Sequence, residues 1–215
     1  MILSIDTAFG PIGVALVSAA GETMAHEVVP DALGAQAEKL PPLVERMFAE
    51  AGLRPAMLGR IAVSVGPGAF TGVRVGLAFA KGLALALKIP LLGFTTLACL
   101  AAQARGARGG AGAYASVIDA RRGEYYAQGF DGALQTVFGP AVMTGDDVRA
   151  ALARMPRPLV LGGSGAGMID VRDADVLDIQ TIDARQLALM ALHADAALHP
   201  PVPCYLRAPD ARLPS

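Results

Sequence analysis

Short apolar runs rich in β-forming residues, separated by turn signals, predict three consecutive β-strands in the first thirty residues. The predicted strands are Met1–Asp6, Ile12–Ser18 and Glu22–Val29, separated by turns at Gly10-Pro11 and Ala20-Gly21. The chain is therefore expected to begin with a three-stranded meander.

The apolar period then changes to that of an amphipathic helix. Apolar residues recur at helical spacing at Leu40, Leu43, Val44, Met47, Phe48 and Ala51. Gly52 is well suited to end this helix. Pro41 and Pro42 lie inside the pattern, so the helix either begins near them or is distorted there, because proline lacks the N–H of an intrahelical hydrogen bond.

A strand, a glycine-rich loop and a long apolar helix follow. The predicted elements are a strand at Arg60–Val65, a helix that follows the loop Gly66–Gly72 and runs to Lys88, a strand at Leu91–Phe94, and a helix from Thr95 or Thr96 to about Arg105. The glycine-rich stretch 106–112 is the obvious linker and divides the chain near its midpoint.

The second half resembles the first in its order of motifs. Asp6 ends the first strand and is followed four residues later by Gly10, and Asp119 and Gly123 repeat this arrangement. Coincidence is the alternative, because a strand that ends in aspartate is common. The other predicted elements are strands at Glu124–Phe130, Thr136–Met143, Pro158–Leu161 and Val176–Ile179, and helices at Asp146–Met155 and Ala184–Leu198. The pattern favours an α/β protein with two related lobes, residues 1–105 joined by about 184–215, and residues 113–183.

Composition excludes several classes of protein. Apolar residues make up 53% of the chain and charged residues 17%, which excludes intrinsic disorder. The formal net charge of −1 and the absence of a basic run predict no extended nucleic-acid footprint on this chain alone. The 25 glycines, against 7 phenylalanines and no tryptophan, predict closely packed elements.

Metal binding, secretion and membrane insertion are not indicated. Cys99 and Cys204 have neither metal-ligand spacing nor the number expected of a disulfide scaffold. No histidine pair has the spacing of a metal site on a helix, and no catalytic Ser, His and acidic set is recognisable. The N-terminus lacks a signal-peptide pattern, and charged residues interrupt the most apolar region. We therefore expect a cytoplasmic protein.

Two aspartates and a later glycine pair suggest a cleft between the lobes. ATPases of the actin and hexokinase class present phosphate and magnesium from a strand that ends in aspartate and a hairpin turn. The candidate cleft residues are Asp6, Thr7, Asp119, Gly162 and Gly163. The alternative is that either aspartate caps its own turn.

The loop before the long helix has two interpretations. Its glycines could expose N–H groups to an anion, assisted by Arg74. It is not a Walker A loop, because the Lys-Ser/Thr pair after the second glycine is missing. The alternative is a tight turn in which Thr71 caps the helix and the glycines allow close packing.

The long helix is apolar around most of its circumference. Arg74, Lys81 and Lys88 repeat every seven residues on one stripe, whereas the remaining positions are largely apolar. Such a helix must be covered on more than one side. Either the preceding amphipathic helix lies beside it, or the pair also contacts a partner chain.

The run Ser64-Val65-Gly66-Pro67-Gly68-Ala69-Phe70-Thr71-Gly72-Val73-Arg74 resembles the signature of the TsaB (YeaZ) family. Its signature-loop residues are Gly66, Pro67, Gly68, Phe70, Thr71, Gly72 and Arg74. Ile5-Asp6-Thr7, the segment 118–126 and the closing Tyr205-Leu206-Arg207 also match, so the resemblance spans nearly the whole chain. Gln36 departs from the histidine that many family members have.

The resemblance implies an actin-like ATPase fold of the ribonuclease H-like class, with the second lobe reduced. It also implies a non-catalytic partner that activates TsaD, which transfers threonylcarbamoyl to adenosine 37 of tRNAs reading ANN codons. The ATPase TsaE would join the complex, tRNA would be contacted indirectly, and ATP or ADP could be present in the complex although this chain requires no cofactor.

The same resemblance implies a helical interface with TsaD or with a second copy of the chain. The expected interface residues are Leu40, Leu43, Val44, Met47, Val73, Leu77, Ala80, Leu83, Ala84 and Leu87. Two other functions remain open from the sequence. One is a small-molecule kinase or ATPase that uses Asp6 and Asp119, and the other is a metalloprotease.

Overall fold

The computed structural model describes residues 1–30, 32 and 34–207. The strands are β1 (Ile2–Asp6), β2 (Ile12–Val17), β3 (Thr23–Val29), β4 (Arg60–Ser64), β5 (Leu91–Phe94), β6 (Ala113–Asp119), β7 (Glu124–Asp131), β8 (Thr136–Thr144), β9 (Leu159–Gly162) and β10 (Ala174–Val176). The helices are α1 (Gln36–Glu50), α2 (Phe70–Leu87), α3 (Thr96–Ala107), α4 (Gly145–Ala153) and α5 (Ala184–Ala191). Short 3-10 turns lie at Pro55–Met57, Ala166–Met168 and Ala196–Leu198.

Two five-stranded sheets have the same strand arrangement. The first sheet has the order β3-β2-β1-β4-β5 and the second β10-β9-β6-β7-β8, which is the same topology read from the other edge. In each, an antiparallel meander is extended by parallel strands, β4 and β5 or β9 and β10. The predicted repeat is thus confirmed as a mixed α/β fold with two related sheets.

The second lobe is the smaller one because it lacks a long helix. In the first lobe, the 18-residue α2 connects β4 to β5. In the second lobe, the corresponding connection from β9 to β10 contains only the 3-10 turn Ala166–Met168. Within the described residues, the helix pair α1 and α2 therefore lies on the outer side of the first lobe.

The core has three apolar clusters that separate layers of helices and sheets. One lies between the first sheet and the pair α1 and α2, and another lies between the second sheet and α4. Between the sheets, α5 packs on β1 and β2 of the first sheet, and α3 packs on β6 and β9 of the second. Helix α3 precedes the linker in the chain but packs on the second sheet. The predicted assignment of this helix to the first lobe, and with it the lobe boundaries, therefore stays a prediction.

Several predicted elements begin or end elsewhere. Helix α1 begins at Gln36, so both prolines lie inside it. The N-cap of α2 is Ala69, so the prediction of Thr71 at this position is wrong. Helix α5 ends at Ala191 instead of Leu198, and Asp195 begins a separate turn by accepting a hydrogen bond from the Ala197 N–H. The last strand is Ala174–Val176 instead of Val176–Ile179.

Candidate interaction surface and lobe cleft

The signature loop lies directly against the end of β1. The Thr7 hydroxyl donates a hydrogen bond to the Gly72 carbonyl at 2.7 Å, and the Ala69 N–H donates to the Ala8 carbonyl at 2.8 Å. A Cβ atom at Gly68 or Gly72 would overlap with backbone atoms of Ala8 or Thr7. These contacts explain the glycine spacing by close packing and give no support to the anion-binding interpretation of the loop.

Asp6 is buried beneath the same contact. Its carboxylate accepts hydrogen bonds from the Ser64 hydroxyl and from the Ala8 N–H, and its side chain is out of contact with solvent. Desolvation by burial raises the pKa of Asp6 to about 7, although the hydrogen bonds from Ser64 and Ala8 act in the opposite direction. The carboxyl group is therefore partly protonated at neutral pH and already engaged by the protein.

Asp119 caps a turn in the second lobe. Its carboxylate accepts a hydrogen bond from the Arg121 N–H at 2.8 Å, and its own N–H donates to the Ser164 hydroxyl at 3.2 Å. Gly163 has a φ of +109°, and a Cβ atom there would overlap with the Val117 backbone. The turn-capping interpretation therefore accounts for the observed contacts of this aspartate.

The five candidate cleft residues form two separate groups. Asp6 and Thr7 contact the loop before α2, whereas Asp119 contacts the loop that follows β9. Within residues 1–30, 32 and 34–207, no hydrogen bond or ion pair joins the two groups. A cavity of about 540 Å³ lies between the lobes, but neither aspartate lines it. It is lined mainly by apolar side chains, among them Val65, Phe94, Phe130 and Leu134.

A cluster of aromatic residues and arginine fixes the start of α2. The Arg74 guanidinium lies 3.7 Å from the centre of the Phe70 ring, and its Nε–H donates to the Tyr205 hydroxyl at 3.1 Å. The Phe70 and Tyr205 rings have centroids 5.1 Å apart. The signature loop is thus bound to the C-terminal segment, a contact that the sequence pattern did not indicate.

Most of the expected interface side chains lie inside the protein. Eight of the ten are buried in the core between the first sheet and the helix pair, namely Leu40, Leu43, Val44, Met47, Val73, Leu77, Ala80 and Ala84. Leu83 and Leu87 are half-buried. The eight buried residues therefore pack the helix pair against the first sheet. A partner protein can contact only the outer residues of α1 and α2.

The outer side of the helix pair is apolar and grooved. One groove of about 430 Å³ lies between α1 and α2 and includes Phe48, Phe79 and Leu83. A second, of about 250 Å³, includes Val75, Ala78 and Phe79. Leu85 is 81% exposed on α2. We call this area the helix-pair surface, defined by Pro41, Val75, Ala78, Phe79, Leu83 and Leu85.

Helix α2 also has the length and apolar composition of a possible membrane span, among the helices that the structure describes. Its inner side, which includes Val73, Leu77 and Ala80, is buried against the first sheet. A helix packed in the core of a folded domain meets the same criterion, so it is weak evidence for a membrane span. Across the described ranges, no three His, Cys, Asp or Glu side chains are grouped as metal ligands.

Comparison with known proteins identifies the family. The Bacillus subtilis tRNA threonylcarbamoyladenosine biosynthesis protein TsaB is 30% identical, over 98% of this chain and 95% of its own length. The chain belongs to the TsaB (YeaZ) family. A crystal structure from Pseudomonas aeruginosa, described as similar to peptidase YEAZ, is 29% identical and matches with a TM-score of 0.75 over 96% of this chain and 99% of its own.

Two further matches are the TsaD family profile and the solved structure of an activator protein. The profile of the TsaD family, described as tRNA N6-adenosine threonylcarbamoyltransferase, matches residues 27–155, which include α1, the signature loop and α2. The activator of 2-hydroxyisocaproyl-CoA dehydratase from Clostridium difficile, solved with ADPNP, is 10% identical and matches with a TM-score of 0.54 over 88% of this chain and 92% of its own. Together with the two sheets, the matches establish the actin-like ATPase fold.

Proposed function

We propose that this chain is a non-catalytic partner that binds and activates a TsaD-type transferase during threonylcarbamoyl transfer to adenosine 37 of tRNAs reading ANN codons. The family membership supports a role in this tRNA modification. In this proposal the protein acts in the cytoplasm, TsaE joins the complex, and ATP or ADP is held by the complex without being a required cofactor of this chain.

The observation that carries the proposal is the exposed helix-pair surface. Phe79 and Leu83 line a groove on a helix whose inner side is already buried, and Leu85 is 81% exposed. Apolar side chains grouped in this way mark a protein-protein contact more often than a solvent-facing helix.

The partner is inferred from the match to the TsaD family. That match includes the residues of α1 and α2, so a TsaD-type protein is expected to present an equivalent helix pair. Two similar helix pairs can pack face to face about a pseudo-twofold axis as a four-helix bundle. The same geometry permits a homodimer when the chain is alone, and we expect the transferase to displace the second copy.

The contacts of the two cleft aspartates support a non-catalytic role. The Asp6 carboxylate accepts hydrogen bonds from Ser64 and Ala8, and the Asp119 carboxylate accepts one from the Arg121 N–H. A kinase needs carboxylates that are free to hold magnesium and phosphate. These contacts therefore disfavour the kinase or ATPase alternative.

Reconstitution with the transferase of the same organism tests the proposal. The two purified chains are expected to co-elute, and threonylcarbamoyl transfer to tRNA by the transferase is expected to require this chain. Transfer at the full rate without this chain would contradict the activating role. Transfer by this chain alone would contradict the non-catalytic role.

A further inference from the structure

The cavity of about 540 Å³ between the lobes is suited to an apolar ligand. Phe94 from β5 and Phe130 from β7 line it, so both sheets contribute to its wall. The His199 ring packs on Phe94 with ring centroids 4.4 Å apart. None of the described residues that line this cavity is Lys, Arg, Asp or Glu. Its volume and uncharged lining are typical of sites that bind small apolar molecules.

A second cavity, of about 420 Å³, adjoins the first beside α3 and α5. The two cavities share Leu134 and Met190 as lining residues, so they are neighbouring parts of one groove. The second cavity differs in its polar groups, because Arg105 and Gln186 line it. We call the two cavities together the interlobe groove. This groove has an apolar part and a part that offers a cation and an amide.

Arg105 is available to an anion from solution. Within residues 1–30, 32 and 34–207, its guanidinium has no ion pair or hydrogen bond, whereas Arg108 on the same helix end pairs with Asp175 at 2.8 Å. Arg105 is exposed, so a ligand in the second cavity can reach its charge without opening the protein. A guanidinium binds a carboxylate through two parallel hydrogen bonds.

The rim of the interlobe groove carries exposed apolar side chains. Leu189, Leu198 and Val202 are 41%, 76% and 61% exposed, and all three line the groove. Single exposed apolar residues are normal on a protein surface, but a group of them around one cavity marks a binding site. A hydrocarbon ligand would remove apolar surface of these residues from water, which favours its binding.

Leu134 lines both cavities from an unfavourable backbone position. Its φ angle is 64°, in the left-handed region that glycine and asparagine adopt more readily than a bulky residue. The turn is held by the Asp131 carboxylate, which accepts hydrogen bonds from the N–H groups of Ala133 and Gln135. The turn itself therefore does not need leucine at this position. The apolar wall of the groove does.

We propose that the interlobe groove binds a fatty-acid-type carboxylate, with its hydrocarbon chain in the apolar cavity and its carboxylate beside Arg105 and Gln186. A hydrocarbon chain is flexible, so it can pass from one cavity to the other beside Leu134 and Met190. The ligand contacts residues of both sheets and stabilises their association. This site is separate from the helix-pair surface and does not depend on the proposed function, because its test uses this chain alone.

Calorimetric titration of the delipidated chain tests the ligand class. The probes are octanoate and 1-octanol, which have the same hydrocarbon chain, each kept below the concentration at which it aggregates. We expect saturable binding of octanoate with a dissociation constant below about 1 mM, and at least about fivefold weaker binding of 1-octanol. Absence of saturable octanoate binding, or equal affinity for the two probes, would overturn the proposal.

Arg105→Gln tests the position of the carboxylate. The variant is expected to bind octanoate at least about fivefold more weakly and 1-octanol within about twofold of wild type, because only the acid pairs with the guanidinium. Arg154→Gln removes another exposed cation, directly after α4 and outside the groove, and is expected to change neither affinity more than about twofold. Unchanged octanoate binding by Arg105→Gln, or equal losses in the two variants, would overturn this placement.

Leu134→Asn tests the position of the hydrocarbon chain. Asparagine is tolerated at this φ angle, so the variant is expected to fold, and circular dichroism checks this. It should bind octanoate and 1-octanol each at least about fivefold more weakly, because both lose the same apolar contact. If the variant does not fold, Leu198→Asn at the exposed rim replaces it, with the same expected losses. Wild-type affinity of the folded variant for both probes would overturn the groove as the binding site.

Discussion

The Thr7 hydroxyl and the Gly72 carbonyl are joined by a hydrogen bond of 2.7 Å that links the end of β1 to the first turn of α2. The contact is possible because Gly72 has no side chain, and a Cβ atom at this position would overlap with the Thr7 carbonyl. The position of the helix that carries the helix-pair surface is thereby determined by the strand that ends in Asp6.

Gly72→Ala is therefore expected to destabilise the protein. The new methyl group meets rigid backbone, so the helix must shift, and we expect a loss of about 3 kcal/mol in the free energy of unfolding. Thermal denaturation should show a melting temperature about 6–12 °C lower.

Gly82→Ala on the same helix is the matched control. Nothing lies within 4 Å of a Cβ atom there, and alanine favours the helix. We expect a gain of about 0.5–1 kcal/mol. Equal effects of the two substitutions would contradict the role of close packing at Gly72.

Burial of Asp6 is expected to make stability depend on pH. Its pKa is raised from 3.8 to about 7 in the folded protein, so the folded state holds a proton that the unfolded state releases between these values. The contribution of Asp6 to the free energy of unfolding is fully present below pH 4 and decreases as the pH rises toward 7. Above pH 7 it does not change further.

Asp6→Asn tests this dependence. The amide preserves an acceptor for Ser64 and Ala8 without ionising, so the variant should be more stable than wild type at pH 8 by up to about 4 kcal/mol and show no such advantage near pH 4. Melting temperatures across this range provide the measurement. If the melting temperatures of wild type and Asp6→Asn change with pH in the same way, the raised pKa of Asp6 is refuted. If the chain is a kinase after all, the same variant should abolish its ATP turnover.

Arg207→Ala is expected to weaken the connection between the C-terminal segment and the second lobe. The guanidinium is only partly exposed and bonds to Ala120 and Glu124, so its removal should cost about 1–2 kcal/mol in denaturant unfolding. Arg149→Ala, which breaks an exposed pair with Asp146, should cost less than about 0.5 kcal/mol. If Arg207→Ala lowers the free energy of unfolding no more than Arg149→Ala does, Arg207 does not hold the C-terminal segment to the second lobe.

Much of the fold could be predicted because strand and helix periods are local properties of the sequence. Strand β5 has the predicted limits of Leu91–Phe94, and the predicted helix at Asp146–Met155 is present as α4. The repeat of Asp6 and Asp119 also indicated two similarly connected sheets.

The orientation of the helix pair could not be predicted in the same way. The charged stripe of Arg74, Lys81 and Lys88 indicates one exposed side, and Leu85, four residues after Lys81, is 81% exposed. The rest of the circumference is apolar, so the sequence does not indicate which part of it faces the sheet, where Leu77 is 4% exposed. The contacts of Tyr205 with Phe70 and Arg74 were also beyond prediction, because they join residues more than 130 positions apart.

The most direct test of the account is the binding of Leu85→Glu to the TsaD-type transferase, measured by calorimetry against Leu198→Glu. Both leucines are highly exposed, at 81% and 76%, but Leu198 lines the cavity between the lobes, away from α1 and α2. Replacing an apolar contact residue of an interface by a charged one typically costs at least about 2 kcal/mol, so Leu85→Glu should weaken binding about thirtyfold or more, while Leu198→Glu should leave it within about threefold of wild type. Wild-type affinity of Leu85→Glu would contradict the helix-pair surface as the site of partner binding.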